Sequence, residues 1–172
     1  MGYCCFSSSA SKAVPLAALI FGAALALTAK AATDSAGSPF DQLAGDWKGG
    51  GTVMPADGAP KKVVCKATYK VASGTMTQNL RCAGADYSIN TNVKLTDKGG
   101  KIKGSWHESV YDANGGVTGT AKDKLIHAKI TGDKFSGRMS INISDAGHEI
   151  NIIQFNENSG TYRPVASLSL QR

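Results

Sequence analysis

Long apolar runs are scarce in this sequence. Only Ala13 to Leu27, about 15 residues, approaches the roughly 20 that a spanning helix needs, which excludes a membrane span. Helical spacing is equally thin. Apart from a single turn over Pro39 to Ala44, no segment places apolar residues at the 3.6-residue period, and this argues against a helical or parallel α/β architecture. A Gly-x-Ser-x-Gly nucleophile elbow is missing. His107, His127 and His148 read as outward-facing or turn residues without ligand spacing on a shared face, so neither a metal nor a cofactor is expected. With aromatics at 7%, Trp47 and Trp106 must supply much of the buried area and read as core anchors.

Cysteine is also rare, four in the chain, and the positions are informative. Lys12 before the apolar run and Ala29-Lys30-Ala31 after it mark residues 1–31 as a cleavable signal peptide. Cys4 and Cys5 precede the apolar run, where a lipoprotein cysteine does not sit, and leave with it. Cys65 and Cys82 remain, and an even pair behind a signal predicts a bridge formed in the periplasm or outside the cell. Removal of 31 residues from 172 leaves 141, and with Lys12 and Lys30 gone 17 basic residues face 13 acidic ones, a net charge of +4. That is mild for nucleic-acid binding, and the lysines are spread over many strands.

The stretch Lys61 to Cys82 fixes strand pairing. Two alternating runs flank Ser73-Gly74, a two-residue hairpin turn. With those residues as the loop, Val71 pairs with Met76, Tyr69 with Gln78, Ala67 with Leu80 and Cys65 with Cys82. The cysteines then fall on the close, non-hydrogen-bonded parity that a cross-strand disulfide needs. The same parity turns Val63, Ala67, Tyr69, Val71, Met76 and Leu80 toward a core and Lys66, Lys70, Thr75, Thr77 and Arg81 toward water.

Turn signals recur along the rest of the chain, among them Asp57-Gly58, Asp97 to Gly100, Asn114 to Gly116, Lys122 to Lys124 and Asp145 to Gly147. Short antiparallel strands joined by tight turns predict an all-β up-and-down meander of about 8–10 strands closed into a barrel. In this reading residues 1–31 are the signal peptide, 32–39 a flexible leader and 40–172 one β-barrel domain. Alternation places Leu43, Trp47, Val53, Tyr87, Ile89, Val93, Leu95, Ile102, Trp106 and Val110 inside. Ile126, Ala128, Ile130, Phe135, Met139, Ile141, Ile143, Ile150, Ile152, Ala166, Leu168 and Leu170 join them. Gly49 to Gly51 would let the first strand coil around a barrel corner.

The pattern Leu43 to Gly51, LAGDWKGGG, with Gly-x-Trp on the first strand of a meander, resembles the calycin superfamily of lipocalins, fatty-acid-binding proteins and relatives. The longer Gly45-x-Trp47-x-Gly49-x-Gly51 is similar to nitrobindin-type haem barrels. The resemblance implies that Trp47 closes one barrel end against a basic residue of the last strand, Arg172 or Arg163 by position. In nitrobindin-type barrels the haem-ligating His lies seven residues before a terminal Arg; here that position is Val165, a departure that argues against haem.

Several polar residues have inward parity: Tyr69, Gln78, Thr91, Glu108 and Gln154. In a filled barrel they need internal partners, whereas in a hollow one they are the oriented contacts of a ligand cavity. The sequence therefore predicts a non-enzymatic module that binds a small apolar ligand through Trp47, Tyr69, Gln78, Trp106, Glu108 and Gln154. The alternative is a filled barrel that holds an anionic surface or protein partner through its turns and a lysine face of Lys61, Lys62, Lys66 and Lys70, as envelope interaction or inhibitor proteins do.

Overall fold

The computed structural model describes residues 37–172 except 56–57; the proposed signal peptide and the start of the proposed leader lie outside the described residues. One short helix, α1 (Pro39–Leu43), precedes ten strands: β1 (Gly45–Val53), β2 (Lys61–Ala72), β3 (Thr75–Ala83), β4 (Ser88–Lys98), β5 (Lys101–Glu108), β6 (Ala113–Lys122), β7 (Leu125–Gly132), β8 (Gly137–Ile143), β9 (His148–Asn156) and β10 (Thr161–Gln171). Each strand pairs antiparallel with its sequence neighbour and β1 pairs with β10, so the meander is a closed barrel. The tail of the expected leader is already fixed: Ser38 Oγ donates to Asp97 Oδ2 at 2.6 Å, and Pro39 is buried at the start of α1.

The β2–β3 register is the one that the two-residue Ser73-Gly74 turn dictates, with Cys65 opposite Cys82 and Tyr69 opposite Gln78. Ser73 and Gly74 both take positive φ, 48° and 71°, as a turn matching the strand twist requires. Cys65 and Cys82 are bonded inside the barrel, 1% and 3% exposed, and their Cα atoms are 4.1 Å apart, consistent with the close parity. This bridge is compatible with a non-cytoplasmic protein. No helix among the described residues is long and apolar enough to cross a membrane.

Two expectations about the middle of the chain are corrected. Asn114 to Gly116 is part of β6, and the turn falls earlier, over residues 109–112. Glycine there meets a packing need of the strand: Gly115 pairs with Trp106 on one side and Gly132 on the other, and a Cβ at Gly115 would overlap the Thr131 carbonyl of β7. Val110, expected inside, lies in that turn and is 48% exposed.

The barrel has two unlike ends. At one, α1 plugs the lumen with Phe40 and Leu43, both fully buried, above a layer containing Trp47, Tyr69, Met76, Leu95, Ile126, Ile141 and Leu170. At the other end, bordered by the loops after β1, β3, β5, β7 and β9, Val53, Val63 and the bridged cysteines are buried, while Thr91, Val93, Trp106 and Gln154 are only half-buried. The closing seam depends on glycine: a Cβ at Gly49 or Gly51 would overlap the Ser169 or Ser167 carbonyl of β10. We expect Gly49→Ala to cost about 2–3 kcal/mol in chemical denaturation through overpacking. Gly116→Ala, whose Cβ would meet only the Thr131 hydroxyl at 3.1 Å, should cost less than about 1 kcal/mol.

Candidate functional site

The plugged end is held by the first and last strands together. Trp47 Nε1 donates to the Leu43 carbonyl at 2.7 Å, tying β1 to α1. The Arg172 guanidinium lies 4.6 Å from the centre of the Trp47 ring and donates to the carbonyls of Gln42 and Ala44 at 3.1 and 3.2 Å. Of the two candidate partners for Trp47, the terminal Arg172 is the one used.

Beneath the plug lies a buried polar line that the sequence only half revealed. Gln78 Nε2 donates to the Tyr69 hydroxyl at 2.9 Å, and that hydroxyl is 2.9 Å from His148 Nε2. Gln78 donates to the phenol oxygen, and the imidazole tautomer sets whether the phenol or His148 Nε2 donates in the second bond. His148 Nδ1 is buried and has no hydrogen-bond partner. The ring is 2% exposed and stands edge-on to Trp47 and Tyr69, with centroids 4.6 and 5.4 Å away. Burial pushes His148 down to about 4. Burial also raises the Tyr69 phenol well above its ordinary value, a rise that the Gln78 hydrogen bond opposes.

His148 corrects the expectation of an outward or turn histidine. It begins β9 immediately after the turn and shares the parity of Ile150 and Ile152, both read as inward, so strict alternation would have found it. Arg163 was considered only as a partner for Trp47. Its inward direction was hidden by the irregularity between Pro164 and Ala166, which lets residues of opposite parity face the same way.

The remaining predicted residues lie toward the unplugged end. Trp106 donates from Nε1 to the Thr131 carbonyl at 3.1 Å and meets Phe135 edge-on. Gln154 Oε1 accepts from Arg163 Nη2 at 2.9 Å, and Arg163 Nη1 reaches the Pro55 carbonyl at 3.4 Å. Glu108 is drawn away from the others. Its Oε1 accepts from the backbone of Asn90 (2.8 Å) and Val110 (3.1 Å) and its Oε2 from Tyr111 (2.7 Å). The carboxylate thus latches the β5–β6 turn at the rim. The six predicted residues therefore form a plug contact (Trp47), a hydrogen-bonded pair of buried Tyr69 and half-buried Gln78, two lumen residues (Trp106, Gln154) and a rim latch (Glu108).

Thr91, Val93, Trp106, Met139, Ile152 and Gln154 share inward parity yet are only half-buried, while Val93, Trp106, Met139 and Ile152 pack against the core cluster. These inward positions thus keep some contact with solvent. Arg163 has no carboxylate partner among the described residues, so the mouth of this apolar lumen carries an uncompensated positive charge.

No protein-family model matches the chain, and no curated protein matches it in sequence. Solved structures do share the fold. Rv2717c from M. tuberculosis superposes with a TM-score of 0.60 at 11% identity, over 76% of this chain and 92% of that one. A protein of unknown function from the DUF3598 family of Nostoc punctiforme gives 0.52 at 13%, over 77% of this chain, which spans about half (48%) of its length. The S-type phycobiliprotein lyase CPES from Guillardia theta gives 0.51 at 16%, over 77% and 88%. At these identities the likeness concerns the fold alone, a closed antiparallel β-barrel. The expectation of a non-enzymatic protein is corrected by the last of these: a barrel of this fold carries the name of a lyase, so neither the architecture nor a missing nucleophile elbow argues against catalysis.

His148 makes stability pH-dependent in a defined window. The fold favours the neutral ring, so its contribution is complete above the ordinary value of about 6.5 and is lost as pH falls toward about 4. By linkage this amounts to about 3 kcal/mol. Asp86 and Asp145, lowered by hydrogen bonds and charge from Lys61 and Lys124, act only below the ordinary carboxylate range. Denaturation midpoints of the wild type should therefore fall between pH 6.5 and 4, and His148→Phe should flatten that slope.

Proposed function

We propose that this chain is a small-ligand-binding barrel that admits a mostly apolar molecule through the end opposite α1. The observation that carries the reading is the half-exposure of inward-facing Val93, Trp106, Met139, Ile152 and Gln154, in a barrel whose other half is packed with buried side chains. Trp106, Met139 and Ile152 offer an apolar wall. Arg163 and Gln154 offer one hydrogen-bonding or anionic end its partner. Tyr69 and Gln78 sit deeper, where a ligand reaching mid-barrel would meet the Gln78 amide. Trp47 and Glu108 serve this site indirectly, by holding the plug and the rim. The neighbours of like fold, one of them a phycobiliprotein lyase, support a small ligand in general terms. We place the barrel outside the cytosol, where Cys65 and Cys82 stay oxidised.

Titration with an apolar carboxylate such as dodecanoate should quench the tryptophan emission saturably. Ile152→Trp, which fills the lumen, should abolish the quenching, and Arg163→Gln should weaken binding about tenfold, the worth of one charge-assisted hydrogen bond. An unchanged titration in Ile152→Trp would refute a lumen site.

A second reading rests on register. Lys48 pairs with Lys66, and Lys66 with Arg81, on the outer face. Like charges directly opposite one another destabilise a sheet, and an anionic surface or acidic protein partner would relieve them. Retention on such a partner should then fall with salt and be lost in Lys66→Glu/Lys70→Glu; full retention in that variant would exclude this face.

A further inference from the structure

The outer face of the barrel changes character along β9 and β10. Near the plugged end its outward positions are polar, Glu149 and Asn151 on β9 and Ser167 and Ser169 on β10. Toward the unplugged end the outward positions of the same two strands become apolar. Ile153 stands opposite Pro164, and Phe155 opposite Tyr162. The Phe155 and Tyr162 rings meet with centroids 5.1 Å apart. Tyr162 is 42% exposed, Pro164 is exposed, and Ile153 and Phe155 are half-buried. Alternation turns these four side chains away from the core, so the packing of the interior does not account for them.

One cation belongs to the patch. Arg138 of β8 pairs with Ile153, and its guanidinium lies over the Tyr162 ring, 4.6 Å from the centroid. Both ion pairs among the described residues lie elsewhere, at Lys61–Asp86 and Lys124–Asp145, so no carboxylate neutralises it. The extent of the patch selects its occupant. A stable protein interface takes about 20–30 residues a side, whereas the next outward positions here are Lys129, Ser140, Asn151 and Ser167, which leaves too little apolar surface for a second copy or a protein partner. A lipid surface needs only a few such side chains. Aromatic rings settle at headgroup depth, and a guanidinium takes two phosphate oxygens in its planar donor fork.

We propose that this face docks on a phospholipid membrane, with Ile153, Phe155, Tyr162 and Pro164 entering the headgroup layer and Arg138 holding a lipid phosphate. The surface does not use the lumen, so it stands whether or not the barrel takes an apolar ligand. It is also separate from the lysine row of β1 to β3, whose attraction for an anionic partner is electrostatic.

The test is co-flotation with phosphatidylcholine vesicles. The chain without residues 1–31 keeps every described residue and removes the apolar run Ala13 to Leu27, which would bind lipid by itself. Salt at about 0.5 M screens the lysine row beyond about 4 Å. Under these conditions the wild type should float with the vesicles. Phe155→Ser/Tyr162→Ser should lower its partition coefficient about tenfold or more, as the loss of two inserted rings requires, and Arg138→Gln should lower it by a smaller factor. Leu125→Ser, which removes an exposed apolar side chain at the plugged end, should leave it within about twofold. Should the double variant misfold, Tyr162→Trp and Leu125→Trp place a reporter at either end: brominated phosphatidylcholine should quench the added emission of the first and spare that of the second. A wild type that does not float, an equal loss in Leu125→Ser, or a dimer in solution that Phe155→Ser/Tyr162→Ser converts to monomer would overturn the proposal.

Discussion

The seam between β1 and β10 joins the first strand of the sheet to the last, and every inward-facing contact depends on its closing. Such a pairing is the least local one the chain makes, so it carries the largest loop-closure cost. Two features offset that cost. Gly49 and Gly51 let the backbones of β1 and β10 approach where a side chain would overlap a carbonyl. Arg172 then spans the seam, covering the Trp47 ring and bonding to the carbonyls that end α1. The cation, the indole and the plug form one assembly, so closure of the sheet and closure of the lumen end are the same event.

From that seam the two halves of the barrel diverge in character. Near α1 the interior is dry and close-packed, and the polar atoms it contains are costly unless partnered. Tyr69 and Gln78 meet that demand for each other. His148 meets it only at Nε2, and it stays neutral because a charged ring would have nothing to offset its burial. Toward the other end the wall keeps inward parity while losing burial, which is how a barrel of this width holds space without breaking its ladder.

The β2–β3 hairpin was legible to the residue because a two-residue turn leaves no freedom in register, and the cysteine pair served as an internal check. Barrel closure was legible from strand spacing and the Gly-x-Trp pattern. What escaped the sequence were features set by partners distant in the chain. Gly115 resembled a turn residue because the carbonyl that a Cβ there would overlap, that of Thr131, belongs to β7. Glu108 had inward parity, but the backbone amides of the following turn captured it. Arg163 was hidden by the β10 irregularity, which breaks the period-two count on which every facing assignment rests.

The same alternation separates the two faces of β6 to β8. Ala128 and Met139 have inward parity, while His127, Lys129 and Arg138, their immediate neighbours in sequence, have outward parity and are exposed. A change of charge outside therefore removes no interior contact, and a change of volume inside removes no outer cation. Gly119 is where the separation fails. It lies between Thr118 and Thr120 with inward parity, and a Cβ there would overlap the His127 carbonyl. Any side chain at that position must push β6 away from β7, which would disturb the core and the outer face together. The requirement for glycine here comes from strand spacing, so it holds whichever face carries the function.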